Sequence, residues 1–145
     1  MKKLTYYTLL FLLMSCTSSK TLTKSQYVEQ NGFQLRTVST DPTYGRTEKN
    51  PIKVGGVDVK EGPSNERLYL DALAGPRGET VSYYRAGSCC AFESENGFMG
   101  MGMLDHYRVT WKGTTDTLSL YLNMYDGGEL EAPVGFTIRK SSDQK

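Results

Sequence analysis

The fold is decided by residues 104–125, which read LDHYRVTWKGTTDTLSLYLNMY. On either side of Lys112-Gly113, side chains of contrasting character alternate with a period of two. Strict alternation of this kind is typical of strands that place one face on a core, and Lys112-Gly113 between the two runs predicts a turn. One face of each strand is expected to carry Asp105, Tyr107, Val109 and Trp111 in the first strand and Leu118, Leu120, Leu122 and Met124 in the second.

Upstream of this hairpin the sequence predicts a helix. Gly62-Pro63 opens it, since proline is accepted in the first turn of a helix, and Gly75-Pro76 is expected to end it. Apolar residues repeat at i, i+4 and form a stripe along one side. The stripe consists of Leu68, Tyr69, Ala72 and Leu73.

Shorter runs with a period of two predict further strands. The segment Gly32–Ser39 suits a half-buried strand, and Asp41–Gly45 predicts a turn because it combines Pro42 with Gly45. Ile52–Val57 suggests two short strands or a bulge, and another strand begins at Val81. The expected fold class is α+β, with an antiparallel sheet and one helix packed on a face.

The first 16 residues have the features of a lipoprotein signal. Met1-Lys2-Lys3 is a short positive start, and Leu4–Met14 is mostly apolar but too short to span a bilayer. The run ends at Leu13–Cys16, which resembles the lipobox of bacterial lipoproteins, where a cysteine thiol takes a diacylglycerol. Each buried methylene contributes about 0.8 kcal/mol, so two or three acyl chains on Cys16 would anchor the protein stably.

The polar segment after Cys16 predicts a disordered tether, because it cannot bury enough apolar surface to fold. No acidic run follows Cys16, which favours an outer-membrane lipoprotein that faces the periplasm. The predicted organisation is a signal peptide at 1–15, the lipidated Cys16 with the tether at 16–26, a single α+β domain at 27–140 and a polar tail at 141–145.

Charge and length exclude some classes of protein. Cleavage before Cys16 removes Lys2 and Lys3 and no acidic residue, so 15 of the 17 basic residues and all 16 acidic residues remain. A nearly neutral chain without a basic block is not expected to bind nucleic acid. The roughly 115 residues after the tether are enough for one domain with a single core.

Cys89 and Cys90 are adjacent, and the third cysteine, Cys16, is expected to carry lipid. Exported proteins usually have separated, paired cysteines. The pair therefore leaves four interpretations: a vicinal disulfide, two buried thiols, a metal site or a link to another chain. A vicinal disulfide distorts its peptide, and such strain is typical of ligand-contact or switch sites, whereas reduced cysteines behave as small hydrophobes.

A thiol-based site would need His106, the single histidine of the chain. A nucleophilic cysteine requires a base within hydrogen-bond reach. However, Asp105 and His106 are neighbours in a predicted strand and should point to opposite faces, which disfavours a triad. We therefore predict no catalytic residue, and Cys89, Cys90 and His106 form a candidate ligand or redox site.

Three methionines, Met99, Met101 and Met103, alternate with glycines and would share one face of a strand. Thioethers are soft ligands that suit Cu(I), although methionine also fills irregular core space. Two adjacent cysteines chelate one ion poorly from regular strand geometry. No cofactor is expected, and copper at the three methionines is the alternative.

Six blocks of the sequence are distinctive in combination: Tyr44-Gly45, Asn50–Gly56, Gly62–Arg67, Gly87–Cys90, Gly97-Phe98 and Tyr121–Asp126. Together they resemble one family of small uncharacterised bacterial lipoproteins, over most of the mature chain. Some members are labelled 2-dehydro-3-deoxyphosphooctonate aldolase, but no catalytic residue can be carried over. Enzymes of that name are (β/α)₈ barrels, which need about 250 residues and alternating strands and helices.

These observations favour a non-enzymatic module of the cell envelope, held on the membrane by its lipid. It would bind an unknown protein or small ligand through a tyrosine-rich sheet surface and a loop at Gly87–Gly97. A thiol- or copper-binding envelope protein is the second hypothesis, and the aldolase is the third.

Overall fold

The computed structural model of the chain describes residues 35–55 and 61–140. The predicted signal peptide, Cys16, the tether and the polar tail lie outside these residues. Among the described residues, no helix is long and apolar enough to cross a membrane. The elements in chain order are β1 (Ile52–Lys53), α1 (Gly62–Asp71), β2 (Leu73–Ala74), β3 (Val81–Phe98), β4 (Met101–Trp111), β5 (Leu118–Asn123) and β6 (Thr137–Ile138).

Four strands form the main sheet in the order β1-β5-β4-β3. Both β3 and β5 pair with β4 in the antiparallel sense, and β1 lies parallel to β5 at the other edge. The short strands β2 and β6 form a separate antiparallel pair. This arrangement confirms the predicted α+β fold, with its mostly antiparallel sheet and a helix.

The core lies between α1 and the face of the sheet that the alternation predicted. Tyr107 and Val109 of β4 and Leu120 and Leu122 of β5 are buried there. Helix α1 contributes its own fully buried side chains, Tyr69 and Leu70, to the same cluster. Burying a large apolar side chain contributes about 1.5–3 kcal/mol, so this interface is a major source of stability.

Helix α1 begins at Gly62, as predicted, but it ends at Asp71 rather than at Gly75-Pro76. The next residues, Leu73 and Ala74, pair with β6 instead of continuing the helix. A long-range backbone hydrogen bond from Arg139 N to Ala72 O, at 2.9 Å, holds the chain in this extended path. Tertiary pairing therefore overrides the helical stripe at its last two positions.

The strand predicted over Gly32–Ser39 is wrong for the part that the structure describes. From Leu35 onward the chain makes only an isolated bridge, between Val38 and Ala132. Leu35 and Ser39 are the buried residues of this stretch. Their spacing of four residues does not match the period of two that a half-buried strand requires.

The loop predicted at Gly87–Gly97 is also wrong, because β3 runs through it as far as Phe98. Register shifts lie between Arg85 and Gly87 and between Cys89 and Ala91. Each leaves one residue of β3 unpaired and so disguises the alternation in the sequence. Since β5 pairs only with Asp105–Val109 of β4, the outer part of the β3–β4 hairpin extends beyond the third strand.

Candidate functional site

Cys89 and Cys90 are joined in a vicinal disulfide. Cys89 lies opposite Leu104 and Ala91 lies opposite Met103, so Cys90 is the extra residue of a β-bulge. Its φ of +57° is in the left-handed region that residues with a side chain rarely adopt. Both cysteines are half-buried. The two open interpretations of free thiols and an interchain link therefore do not describe this structure.

The loop before β1 approaches the disulfide through Glu48, whose carboxylate lies within 4.8 Å of both sulfur atoms. The loop is held in shape by Asp41, which accepts hydrogen bonds from the Thr43 backbone at 2.8 Å and from Asn50 Nδ2 at 2.9 Å. Glu48 and the cysteines are the one trio of potential metal ligands within residues 35–55 and 61–140. Disulfide sulfurs are not thiolates, and thiolates are the form that binds metals.

His106 is separate from that trio and lies on the face of β4 opposite Asp105. Its Nε2 is 2.9 Å from Ser119 Oγ, and its ring stacks on Tyr121 with centroids 4.9 Å apart. Arg108 donates a second hydrogen bond to Ser119 Oγ at 2.6 Å. His106 is thus not part of the trio around the disulfide; it lies opposite Gly87 in the hairpin and belongs to a polar network with Ser119 and Arg108.

The methionines do not form the single stripe that the sequence predicts. Met99 has a φ of +53° and lies with Gly100 in the turn between β3 and β4, so only Met101 and Met103 share a strand face. Phe98 pairs with Met101 across the hairpin and therefore points to the same side.

We call Phe98, Met99, Met101 and Met103 the apolar tip. Phe98 and Met99 are 84% and 86% exposed, and Met101 and Met103 are 44% and 41% exposed. Burial of such side chains would be favourable, since removing apolar surface from water contributes about 25 cal/mol per Å². The charged residues of the surrounding segment 91–104 are Glu93 and Glu95, both exposed and both acidic.

The tip is attached to the sheet by packing behind it. Phe92 packs edge-to-face on Tyr125, with ring centroids 5.9 Å apart. Gly102 lies opposite Phe92, and a Cβ built on it would come within 2.7 Å of the Phe92 ring. Only glycine fits at this position without a shift of the neighbouring rings.

Asp126 makes a second attachment through its carboxylate. It accepts hydrogen bonds from Ser94 Oγ at 2.7 Å and from Asn96 Nδ2 at 3.1 Å on the hairpin, and from Asn123 Nδ2 at 2.9 Å. Asn123 in turn accepts bonds from the backbone N–H groups of Tyr125 and Asp126. This network joins the end of β5 to the hairpin.

A pair of buried carboxyl groups lies near the same hairpin, between α1 and β4. Glu66 is fully buried, and its Oε2 accepts a 3.0 Å hydrogen bond from the Tyr107 hydroxyl. Asp105 is also buried and forms a bidentate pair with Arg85, at 2.5 and 2.7 Å. Ser88, next to the disulfide, donates to Asp105 at 2.9 Å.

Burial is the main cause that raises the pKa of Glu66 to about 8, and the negative charge of nearby Asp105 is the second cause. The buried carboxyl group of Glu66 is therefore protonated at neutral pH. Burial and the neighbouring Glu66 likewise raise the pKa of Tyr107 well above its ordinary range. The pair is covered by Arg85 on its outer side and acts as a polar joint between helix and sheet.

Sequence reasoning missed Glu66, Arg85 and Ser88. A signal for Glu66 existed, because it precedes Leu70 by four residues and therefore lies on the buried side of α1. For Arg85 and Ser88 no such signal existed, since the bulge between them decides that both reach Asp105.

Comparisons with protein-family models, with curated proteins and with solved structures find no match to this chain. We therefore infer function from the residues themselves.

Proposed function

We propose that this protein is a lipid-anchored lipoprotein of the bacterial cell envelope, and that it acts as a non-enzymatic interaction module. The observation that carries the binding role is the apolar tip, with four large apolar side chains exposed together at the end of one hairpin. Scattered exposed hydrophobic residues are ordinary, whereas a contiguous group of them marks an interaction site.

The described fold also bears on the alternatives. A (β/α)₈ barrel is built from parallel strands that alternate with helices, whereas this sheet is mostly antiparallel. The aldolase hypothesis therefore lacks the fold that its chemistry uses elsewhere. The copper hypothesis is weakened because Met99 lies in a turn and His106 bonds to Ser119.

The chemistry of the tip favours a protein as its partner. Methionine side chains are flexible and polarisable, so they adapt to apolar pockets of irregular shape. Glu93 and Glu95 beside the tip add negative charge and no positive charge offsets it within residues 91–104. An anionic lipid surface would repel these carboxylates, whereas a protein with an apolar pocket and a basic rim would complement them.

The test is photo-crosslinking in intact cells of the source bacterium, with a photoreactive phenylalanine analogue replacing Phe98. We expect a discrete protein adduct in the membrane fraction, which mass spectrometry would identify. The matched control places the analogue at Tyr84, which is 59% exposed on β3 but lies at the opposite end of the hairpin.

The same experiment includes Met99→Ser and Met101→Ser changes beside the photoreactive position. These should reduce the adduct about tenfold or more, because buried apolar anchors dominate interface energies. An adduct of equal yield from Tyr84, or adducts to lipid alone at Phe98, would contradict the proposal. A purified partner should also present lysine or arginine residues around its contact site.

A further inference from the structure

We infer that the Cys89–Cys90 pair is a site of reversible thiol–disulfide exchange with a dithiol protein of the envelope, and that its redox state sets the register of the hairpin beyond it. The consequence for binding rests on the proposed function of the apolar tip. The exchange and the change of register do not depend on that function.

The disulfide occupies a position that a partner protein can approach. Cys89 and Cys90 are half-buried, and their neighbours Ser88 and Ala91 are both exposed. Among the strands that the structure describes, none pairs with the outer part of the hairpin, because β5 ends its pairing with β4 at Asp105. A disulfide buried in the core between α1 and the sheet would not be accessible in this way.

The disulfide maintains an unusual backbone conformation at Cys90. A bond between neighbouring cysteines closes a small ring and constrains the residues that carry it. Here Cys90 has a positive φ and stands unpaired as the extra residue of the bulge. Once the ring is open, nothing in the covalent structure favours that conformation, which side-chain-bearing residues avoid.

Loss of the bulge would shift the outer hairpin by one residue. Cys90 would then pair with Met103, Ala91 with Gly102 and Phe92 with Met101. A shift of one residue moves each side chain to the opposite face of a strand. Phe92 would leave the space above Gly102, where its ring now packs on Tyr125.

The apolar tip follows directly from this register. Phe98 and Glu93 both pair with Met101, so the segment between them bulges outward and presents Phe98 beside Met101. Ser94 and Asn96 of this segment hold the Asp126 carboxylate. A shift in β3 changes these contacts together, which makes the tip the part of the molecule that reports the redox state.

The exchange is balanced in atoms and electrons. A thiolate of the dithiol protein attacks one sulfur of the Cys89–Cys90 bond, which breaks as a mixed disulfide forms. The other cysteine leaves as a thiolate and takes up a proton. The second thiol of the partner loses its proton and attacks the mixed disulfide, which releases the remaining cysteine as a thiol. Two electrons pass to the cysteine pair, and the partner becomes a disulfide.

The experiment uses the full lipoprotein, extracted from membranes in mild detergent without reductant. Reduced thioredoxin, kept reduced by its reductase and NADPH, serves as the dithiol protein. Free thiols are trapped with N-ethylmaleimide and counted by intact mass. We expect no adduct before treatment, two adducts afterwards, and return to none when the reducing system is replaced by oxidised glutathione.

Hydrogen exchange reports the change of register in the same samples. We expect amides within residues 91–104 to exchange about tenfold faster after reduction, because the shifted register loses the Phe92–Tyr125 packing and the Asp126 hydrogen bonds that attach the outer hairpin to the sheet, which makes local opening easier. Amides of β5 should not change. Two variants without the disulfide separate the bond from the bulge.

The first variant, Cys89→Ser with Cys90→Gly, removes the bond but leaves a residue that accepts positive φ. Hydrogen exchange of residues 91–104 in this variant should match that in the oxidised protein. The second, Cys89→Ser with Cys90→Val, places a β-branched residue there, which disfavours positive φ. Hydrogen exchange of residues 91–104 in this variant should match that in the reduced protein. The two variants differ only at position 90.

Two results would overturn the inference. One is a disulfide that reduced thioredoxin opens only after the protein is unfolded, so that N-ethylmaleimide adducts form only then. The other is equal exchange of residues 91–104 in the oxidised and reduced protein. In a third outcome, hydrogen exchange depends on the redox state while photo-crosslinking at Phe98 gives no partner adduct. That pair of results would contradict the proposed function and support the redox inference.

Discussion

Glu66 is a carboxyl group at the interface between helix and sheet, where a charge is costly unless it is paired. The structure meets this cost by protonation, since burial and the charge of Asp105 raise the pKa of Glu66 to about 8, and its Oε2 accepts a hydrogen bond from Tyr107. Asp105 forms an ion pair with Arg85, which is exposed on its outer side. The four groups form a polar joint that holds α1 at one position over β4.

Replacing Glu66 with Gln should stabilise the domain at pH 8 and change little at pH 4.5. Glutamine mimics the protonated acid, with an amide to donate to Asp105 and an oxygen to accept from Tyr107. In the wild type the folded state keeps a proton between the ordinary pKa of 4.5 and the raised value of about 8, whereas the unfolded state releases it. Stability of the wild type therefore falls as the pH rises through this window.

Urea unfolding of residues 17–145 at several pH values measures this effect. Each pH unit in the window is worth at most about 1.4 kcal/mol, so we expect the variant to gain roughly 1 to 4 kcal/mol relative to the wild type by pH 8. The control is Glu129→Gln, which removes an exposed carboxylate. An equal effect of Glu66→Gln at both pH values would contradict the raised pKa of Glu66.

The β3–β4 hairpin is the element that carries both proposals. In its inner part β4 pairs with both β3 and β5, and its outer part depends on Phe92 and Asp126 for attachment. Alternation in the sequence predicts β4 and β5 well, because their polar and apolar residues follow the pleat. In β3 the extra residues Ala86 and Cys90 interrupt that pattern, so the strand beyond Arg85 could not be recognised.

Asp126→Ala should loosen the outer hairpin. The change removes the acceptor of Ser94, Asn96 and Asn123 and leaves their polar groups to find water. We expect a loss of about 1–2 kcal/mol in the free energy of unfolding, and faster hydrogen exchange in residues 94–100.

The comparison variant is Asp116→Ala. Asp116 is largely exposed and lies 3.8 Å from Arg108 in a surface ion pair, which contributes about 0–1 kcal/mol. Unchanged exchange in residues 94–100 of the Asp126→Ala protein would show that the hairpin is held by Phe92 packing alone.

The proposed lipid anchor at Cys16 and the contact surface at the apolar tip lie on separate parts of the chain. In this proposal residues 17–26, which are polar apart from Leu22, link the lipid at Cys16 to the domain as a tether. Such a tether raises the local concentration of the apolar tip near membrane-bound partners. Anchoring and contact can be tested independently because they use separate residues.

Cys16→Ser should release the protein from membranes. Without a thiol at this position no diacylglycerol is attached, and the acyl chains no longer contribute to membrane binding. Fractionation after a carbonate wash should move most of the protein to the supernatant. The double variant Cys89→Ser with Cys90→Ser is the control and should stay with the membranes. A Cys16→Ser protein that stays bound would contradict the anchor.

The fold class, the start of α1 and the two regular strands β4 and β5 could be predicted from the sequence alone. These features follow from local periodicity and from the residues that open a helix, so neighbours along the chain are sufficient to predict them. The anchor at Cys16 also follows from a local pattern and stays a prediction.

The places where the functional groups meet depend on tertiary contacts. Glu66 and Tyr107 are 41 residues apart, and the Ser94 and Asp126 side chains are 32 residues apart. Glu48 approaches the disulfide from another loop. Such contacts depend on register and on bulges, which pair residues distant in sequence and leave no local periodicity. The Cys89-Cys90 pair could therefore be recognised as unusual from the sequence. Its location at the base of an exposed hairpin could be recognised only from the fold.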